Sequence, residues 1–194
     1  MDNEYVKVLK HAPGLDLTGT RKLSELLNFE VSSFATSNIV KFGCYKGFSL
    51  PIWESTGATA EQQIYIKMRV PDQWDGKGAA TIKLLFALGG TEATPAACQF
   101  RCIYESGQSG GLANATLSSA DSGDIPVVAG SLATYSLYES KIEIPSTSFA
   151  AGDHLAGLIK RIASSTGATG AMSNNVIILN GLVQWQVDKI YAEL

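Results

Sequence analysis

Charged side chains are scarce in this chain of 194 residues, because Asp, Glu, Lys and Arg together make up only 17% of it. Typical soluble proteins carry about 25%, so small polar residues and 19 glycines take the place of charge here. The hydrophobic fraction of 45% is ordinary for a globular core and excludes intrinsic disorder. A net charge of -3 argues against a nucleic-acid binder that works through a basic surface, and no direct nucleic-acid binding is expected.

Long apolar runs are missing as well. No stretch approaches the ~18 consecutive apolar residues that a membrane-spanning helix needs, so no membrane partner is predicted. The opening segment MDNEYVKVLKHAPG lacks a basic part followed by an apolar part, and it is therefore not expected to act as a secretory signal. We expect synthesis in a reducing cytoplasm.

Cysteine and histidine are too few for most site chemistry. The three cysteines, Cys44, Cys98 and Cys102, form an odd set that argues against a disulfide framework. Cys98 and Cys102 would lie about 13 Å apart on one strand, too far to bridge, so buried free thiols are expected. The two histidines, His11 and His154, have no partners at metal-ligand spacing. We predict no catalytic residue, no metal ligand and no cofactor.

Two weaker signals each allow two interpretations. The segment PDQWDG at 71–76 holds two carboxylates and could bind calcium, but Asp-Gly is also a common turn pair, and the turn is favoured. Trp53, Trp74 and Trp185 could form a sugar-binding platform or pack in a core. Core packing is favoured because Trp185 lies on the apolar parity of its segment.

Most of the chain alternates between apolar and polar residues with period two, as half-buried strands do. Segment 154–163 also carries a helical stripe, but Gly157 weakens a helix and the surroundings are β, so a strand is predicted. The parity changes within 134–144, which suggests a bulge near Tyr138 to Lys141 or two short strands. The predicted strands are 38–42, 48–54, 62–70, 80–88, 97–104, 134–144, 154–163 and 175–190.

These strands predict an all-β fold, an antiparallel two-sheet jelly-roll sandwich over residues 31–194. Residues 1–30 are predicted to form an N-terminal arm. Within it, TGTRKLSELLNF at 18–29 places Leu23, Leu26 and Leu27 at helical spacing after Thr20, which can cap. A short helix is marginal alone, so we expect the arm to dock, either on its own sandwich or on another subunit.

Apolar residues also occupy strand positions that should face water on an isolated sandwich. These positions are Leu85, Ala87, Ile103, Val176 and Ile178. Either the arm or a long loop of the same chain covers them, or they contact another protein. Together with Leu23, Leu26 and Leu27 of the arm, they predict a subunit of a homo-oligomer, with a trimer as the expected state.

Three segments resemble a group of tailed-phage virion proteins with a small jelly-roll domain. They are the strand end and turn from Val70 to Gly76, the Ala-Gly-Asp turn from Ala151 to Asp153, and the closing strand from Leu182 to Tyr191. The resemblance spans roughly residues 60–191. It implies a non-enzymatic structural role in the virion, after assembly in the host cytoplasm.

The resemblance gives a capsid decoration, or cement, protein as the first expectation, with the major capsid protein or another virion protein as partner. A tail, fibre or host-recognition protein is the second expectation. A carbohydrate-binding module is the third, and it comes from a different class of function. The scarcity of charge fits the first two, because surface that contacts neighbours carries little charge.

Overall fold

The computed structural model describes residues 21–30, 41–45, 48–53, 63–92, 96–107, 117–130, 136–162, 170–171 and 174–187. Its described residues form strands almost throughout, with one 3-10 turn at Ser146–Ser148. The strands make two sheets of antiparallel pairs, consistent with a β-sandwich, and the prediction of an all-β fold is confirmed. A two-residue parallel pairing of Gly170–Ala171 is the exception.

The first sheet has six strands, and strands are numbered in chain order. They are β1 (Arg21–Leu26), β3 (Lys41–Tyr45), β4 (Phe48–Trp53), β6 (Ala80–Leu88), β10 (Leu137–Ile144) and β13 (Val176–Val187). The path of the sheet runs β10-β6-β13-β4-β3, and β1 also pairs with β13. The long central strand β13 therefore has β6 on one side, and β4 and β1 on the other.

The second sheet has seven strands. They are β2 (Asn28–Glu30), β5 (Gln63–Arg69), β7 (Ala96–Gly107), β8 (Ser118–Asp121), β9 (Ile125–Val127), β11 (His154–Ile162) and β12 (Gly170–Ala171). The path of the sheet runs β12-β7-β11-β5-β2, and β8 and β9 also pair with β7. The central strand β11 is antiparallel to both β5 and β7.

The core lies between the two sheets because each strand turns one parity inward. In β6 every second residue from Ala80 to Leu88 is fully buried, and the intervening Thr81, Lys83 and Leu85 are only partly buried. Aromatic rings fill the centre: Phe100 of the second sheet lies 5.5 Å from Trp53 and 5.3 Å from Phe86 of the first, between ring centroids. Such tilted and edge contacts between rings stabilise the fold beyond what the burial of their apolar area contributes.

The strand prediction for 154–163 is confirmed, and Gly157 helps to explain why the segment pairs so closely. A Cβ atom at Gly157 would lie 2.7 Å from the carbonyl oxygen of Ile103 on β7. Only glycine lets β11 approach its neighbour in this way. The residue that weakens a helix here is thus required by the sheet.

The helix prediction for the arm is wrong for residues 21–30, which form β1 and β2 instead. The edge of β13 offers β1 a full ladder of backbone hydrogen bonds, from Arg21 opposite Val187 to Leu26 opposite Leu182. A helix of two turns has no comparable source of stability. The rest of the predicted arm lies outside the described residues.

The predicted bulge in 134–144 is also wrong, because β10 pairs with β6 in unbroken register from Leu137 to Ile144. The register shifts in β13 instead, where Ile178 faces Phe86 and Asn180 faces Leu85. The extra residue reverses the parity that faces the core. Val176 and Ile178 are therefore buried before the bulge, and Val183, Trp185 and Val187 after it.

Because the bulge turns Ile178 inward, Ile178→Ala should destabilise the fold. Without the bulge, Ile178 would lie on the same face as the outward-facing Leu182 and Gln184. Ile178 is 1% exposed, so the substitution should lower the free energy of unfolding by about 2–5 kcal/mol. Val128→Ala is the control, because Val128 is 51% exposed and lies outside any sheet, so its loss should cost less than about 0.5 kcal/mol. Urea unfolding of both variants measures the difference, and equal effects would contradict the bulge.

Candidate functional site

The structure buries three of the predicted interface residues, two from outward strand positions and one from the docking arm. Val176 and Ile178 belong to the core cluster, because the bulge in β13 turns them inward. Leu27 is also in the core, at the point where the chain passes from the first sheet to the second. Its backbone N–H donates to the carbonyl of Gly181 at 2.9 Å. These three side chains lie in the protein's own core and cannot serve a contact with another subunit.

An apolar row crosses the outer face of the first sheet. The register aligns Leu137 of β10, Ala87 of β6, Ile177 of β13 and Ile52 of β4. Ala87 and Ile177 are each only 2% exposed although neither belongs to the core cluster, whereas Leu137 is 61% exposed. Ala87 therefore does face outward as predicted, but it is not open to solvent.

The same outer face carries further apolar side chains beyond that row. Leu85 is half-buried and lies opposite Glu139 and Asn180. Leu26 is exposed and lies opposite the half-buried Leu182 of β13. The name apolar face is used below for Leu26, Ile52, Leu85, Ala87, Leu137, Ile177 and Leu182.

The remaining predicted residues lie elsewhere. Leu23 is 36% exposed and shares the inward face of the first sheet's edge with its partner Trp185. Ile103 is half-buried on the outer face of the second sheet. The structure thus brings Leu26, Leu85 and Ala87 to one face and separates Ile103 from them. Sequence reasoning missed Leu137 and Ile177, because the register of β10 and the position of the bulge decide which way they point.

The outer face of the second sheet contains a cavity of about 420 Å³. It lies over the middle of β11 at Ala156 and Gly157, and it is open to solvent. Tyr65 and Lys67 of β5 line one side, and Ile103 and Glu105 of β7 line the other, with Leu158 between them and Leu117 at the margin. Ile103 is the predicted interface residue that contributes to this cavity.

The tryptophans pack in the core, as the favoured interpretation predicted. Trp53 is 1% exposed and Trp185 is fully buried. Trp74 lies in the 71–76 turn, where its ring packs 4.7 Å from that of Phe149, between centroids, and its Nε1–H donates to the carbonyl of Gly78 at 2.9 Å. These rings do not form a platform for a sugar.

The carboxylates of the 71–76 turn are used within the protein. Asp75 accepts hydrogen bonds from the backbone N–H groups of Lys77 and Gly78 at 2.9 and 2.8 Å. Asp72 pairs with Arg69 at 2.9 Å. Within the described ranges no three His, Cys, Asp or Glu residues are grouped so that they could hold a metal ion.

The three segments that carry the resemblance to phage virion proteins meet at one end of the sandwich. The N–H of Val70 donates to the carbonyl of Asp153 at 2.8 Å, and the N–H of Gly152 donates to the carbonyl of Val70 at 3.1 Å. The N–H of Asp75 donates to the carbonyl of Gln186 at 3.2 Å. Backbone hydrogen bonds therefore link the 71–76 turn both to the turn before β11 and to β13.

Asp153, His154 and the two described cysteine side chains lie in different environments. Asp153 is buried and accepts the N–H of Ala150 at 2.8 Å, while His154 is exposed at the start of β11. Burial raises the pKa of the Cys98 thiol to about 12 against a smaller opposing effect of Arg161, and burial likewise raises the pKa of Cys102 to about 12. His11 lies outside the described residues, and only the backbone of Cys44 is described.

No protein-family model matches this chain. No curated protein matches it either. None of the helices in the described residues is long and apolar enough to cross a membrane.

The buried thiols predict very slow labelling of Cys98 and Cys102 in the folded protein. A pKa of about 12, against 9.0 for an unperturbed thiol, lowers the thiolate fraction about a thousandfold at neutral pH. In a Cys44→Ser background, a chromogenic disulfide reagent should react with neither thiol until urea unfolds the chain. Rapid labelling without unfolding would contradict their burial.

The ion pair between Arg101 and Asp121 predicts a pH-dependent contribution to stability. Two bonds of 2.6 and 2.7 Å join the side chains, and the hydrogen bonds from Arg101 lower the pKa of Asp121. The stabilisation is thus present above the unfolded pKa of about 3.9 and is lost as pH falls through the folded value. Because both side chains are 34–40% exposed, solvent screening limits it to about 1 kcal/mol.

Asp121→Asn should therefore lower the free energy of unfolding at pH 7, and by less at about pH 3, because the stabilisation is lost progressively as the pH falls below the unfolded pKa of about 3.9 towards the lowered folded pKa. Urea unfolding at both pH values measures this. Asp72→Asn is the control, because its pair with Arg69 is 56–61% exposed and should contribute less. An Asp121→Asn effect that is the same at both pH values would contradict the electrostatic origin.

Proposed function

We propose that this protein is a non-enzymatic structural subunit of a phage virion, in the first place a capsid decoration protein, built on a jelly roll. It would act by packing against copies of itself and against the major capsid protein. The observation that carries the proposal is the apolar face of the first sheet. The resemblance of three segments to phage virion proteins is the reason for proposing a virion as the assembly.

The strand pairing supports the jelly roll. Counted along the chain, the eight principal strands are β4, β5, β6, β7, β8, β10, β11 and β13. The first pairs with the eighth, the second with the seventh, the third with the sixth and the fourth with the fifth. A long hairpin rolled into two sheets has this nested order, and it gives the paired Greek keys of the fold.

The apolar face supports assembly. A sheet face that meets only water should carry polar residues, yet here Leu26 is 72% and Leu137 is 61% exposed, with Leu85 and Leu182 half-buried between them. Exposed apolar side chains grouped on one sheet face favour protein–protein contact, here beside the charged Lys83, Glu139 and Lys141 of the same face.

The resembling segments lie together at one end of the fold. The turn at 71–76 is bonded to the turn before β11 and to the closing strand. Because β5 and β11 are antiparallel neighbours, the first of these contacts follows from the strand pairing. The choice of a virion protein over other β-sandwiches therefore rests on the resemblance itself.

Assembly predicts that the purified protein sediments as a homo-oligomer, with a trimer at three times the 20.6 kDa chain mass as the expected state. Leu137→Glu should shift it towards the monomer, because a charge would be buried in the contact. Leu117→Glu is the control, since Leu117 is 64% exposed beside the second sheet. A wild-type monomer at micromolar concentration in analytical ultracentrifugation would overturn assembly through this face.

The location in the virion has its own test, immunogold electron microscopy of particles of the phage that carries this gene. Label over the capsid surface supports decoration. Label on the tail or fibres would replace it by the second expectation, a tail or host-recognition protein. Particles that contain no label would contradict a virion role altogether.

A further inference from the structure

The cavity on the outer face of the second sheet lies over a cross-strand row that has a small residue in its middle and a charged residue at each end. The register places Ala156 of β11 directly between Lys67 of β5 and Glu105 of β7. Neighbouring strands lie about 4.8 Å apart, so the backbones of the two charged residues lie about 10 Å apart, and only the methyl group of Ala156 lies between their side chains. Gly157 has the inward parity of Leu155 and Ile159, so the small side chain of Ala156 is what leaves the outer face open. This row explains why a space of about 420 Å³ opens here.

The adjacent row across the same strands is apolar and aromatic. It aligns Tyr65 with Leu158 and Ile103, and all three are half-buried on the outer face. The cavity thus combines two adjacent rows that cross the strands. One row supplies a phenol ring and two aliphatic side chains, and the other supplies an ammonium group and a carboxylate. Its volume lies within the range of about 300–1,000 Å³ that is usual for small-molecule pockets.

The charges narrow the class of ligand. Lys67 supplies only donors and Glu105 only acceptors, so the two edges of the cavity carry groups of opposite charge. Within the described part of the chain the Glu105 carboxylate has no ion-pair partner. A ligand that carries a net charge would gain from one side and lose on the other, whereas hydroxyl groups can accept from the ammonium and donate to the carboxylate.

We propose that this cavity is a saccharide-binding pocket that takes a neutral sugar residue of an oligosaccharide. The apolar C–H face of the sugar packs on the Tyr65 ring and Leu158. The hydroxyl groups at its edge bond with Lys67 and Glu105. This proposal does not depend on the proposed function, since the apolar face that carries the latter belongs to the other sheet.

The first test is a glycan array of neutral bacterial surface oligosaccharides, followed by ¹⁵N-correlation NMR titration with cellobiose, maltose and N,N′-diacetylchitobiose. Binding on the array, together with shifts concentrated at the amides of 156–158 and of Tyr65 in the titration, supports the pocket. If no probe binds in either experiment, or the shifts lie elsewhere on the protein, the proposal is wrong.

Substitutions of residues that line the cavity test whether the sugar binds there. Tyr65→Ala should weaken binding about tenfold, because it removes the stacking surface, while Tyr65→Phe should retain most of it. Ala156→Phe should abolish binding by filling the space. Thr81→Phe is its matched control, on the outward parity of a central strand in the first sheet, and should bind normally.

The oligomeric state distinguishes a sugar pocket from a protein contact. Under the proposal, Ala156→Phe blocks the sugar and leaves the sedimentation of the protein unchanged. If Ala156→Phe dissociates the oligomer and no sugar binds to the wild type, the cavity is part of a contact between subunits and the proposal is overturned. A monomeric wild type that still binds sugar would overturn the proposed assembly and leave the pocket standing.

Discussion

The bulge in β13 is the constraint on which much of the structure depends. A strand without a bulge presents one parity to the core, but this strand has apolar residues on both parities. The register shift between Ile178 and Asn180 lets Val176 and Ile178 face inward before it, and Val183 and Trp185 after it. It also fixes which residues point outward, so that Ile177 and Leu182 reach the outer face beside β6. The same extra residue thus decides which side chains of β13 join the core and which join the apolar face.

Period-two patterning was sufficient to predict most of the fold from the sequence. The strand predicted at 80–88 is found with the same bounds, and 154–163 was assigned correctly because its surroundings are β and Gly157 disfavours a helix. The errors came where local pattern does not carry the information. Leu23, Leu26 and Leu27 have helical spacing, yet the open edge of β13 decides their conformation, and that edge exists only in the folded sheet.

The candidate surface was predicted less well than the fold, for a related reason. Leu85 and Ala87 follow simple alternation along β6 and do face outward. Val176 and Ile178 were placed on the wrong face because a bulge reverses parity without a clear sequence signal. The cavity over β11 could not be predicted at all. It depends on which residues of β5 and β7 lie opposite Ala156, and cross-strand register is not encoded in any single strand.

The two outer faces are suited to different roles because a sandwich separates them. The sheets pack about 10 Å apart, and their outer faces point in opposite directions. A subunit that packs through the apolar face of its first sheet would therefore keep the second sheet directed away from that contact. Both outer faces carry charge: the ion pair of Lys141 with Glu139 lies on the first sheet, and the ion pair of Arg101 with Asp121, and Lys67 and Glu105 beside the cavity, lie on the second. The first sheet differs in its exposed Leu26 and Leu137, which the proposed assembly would cover, whereas the cavity of the second sheet would stay accessible.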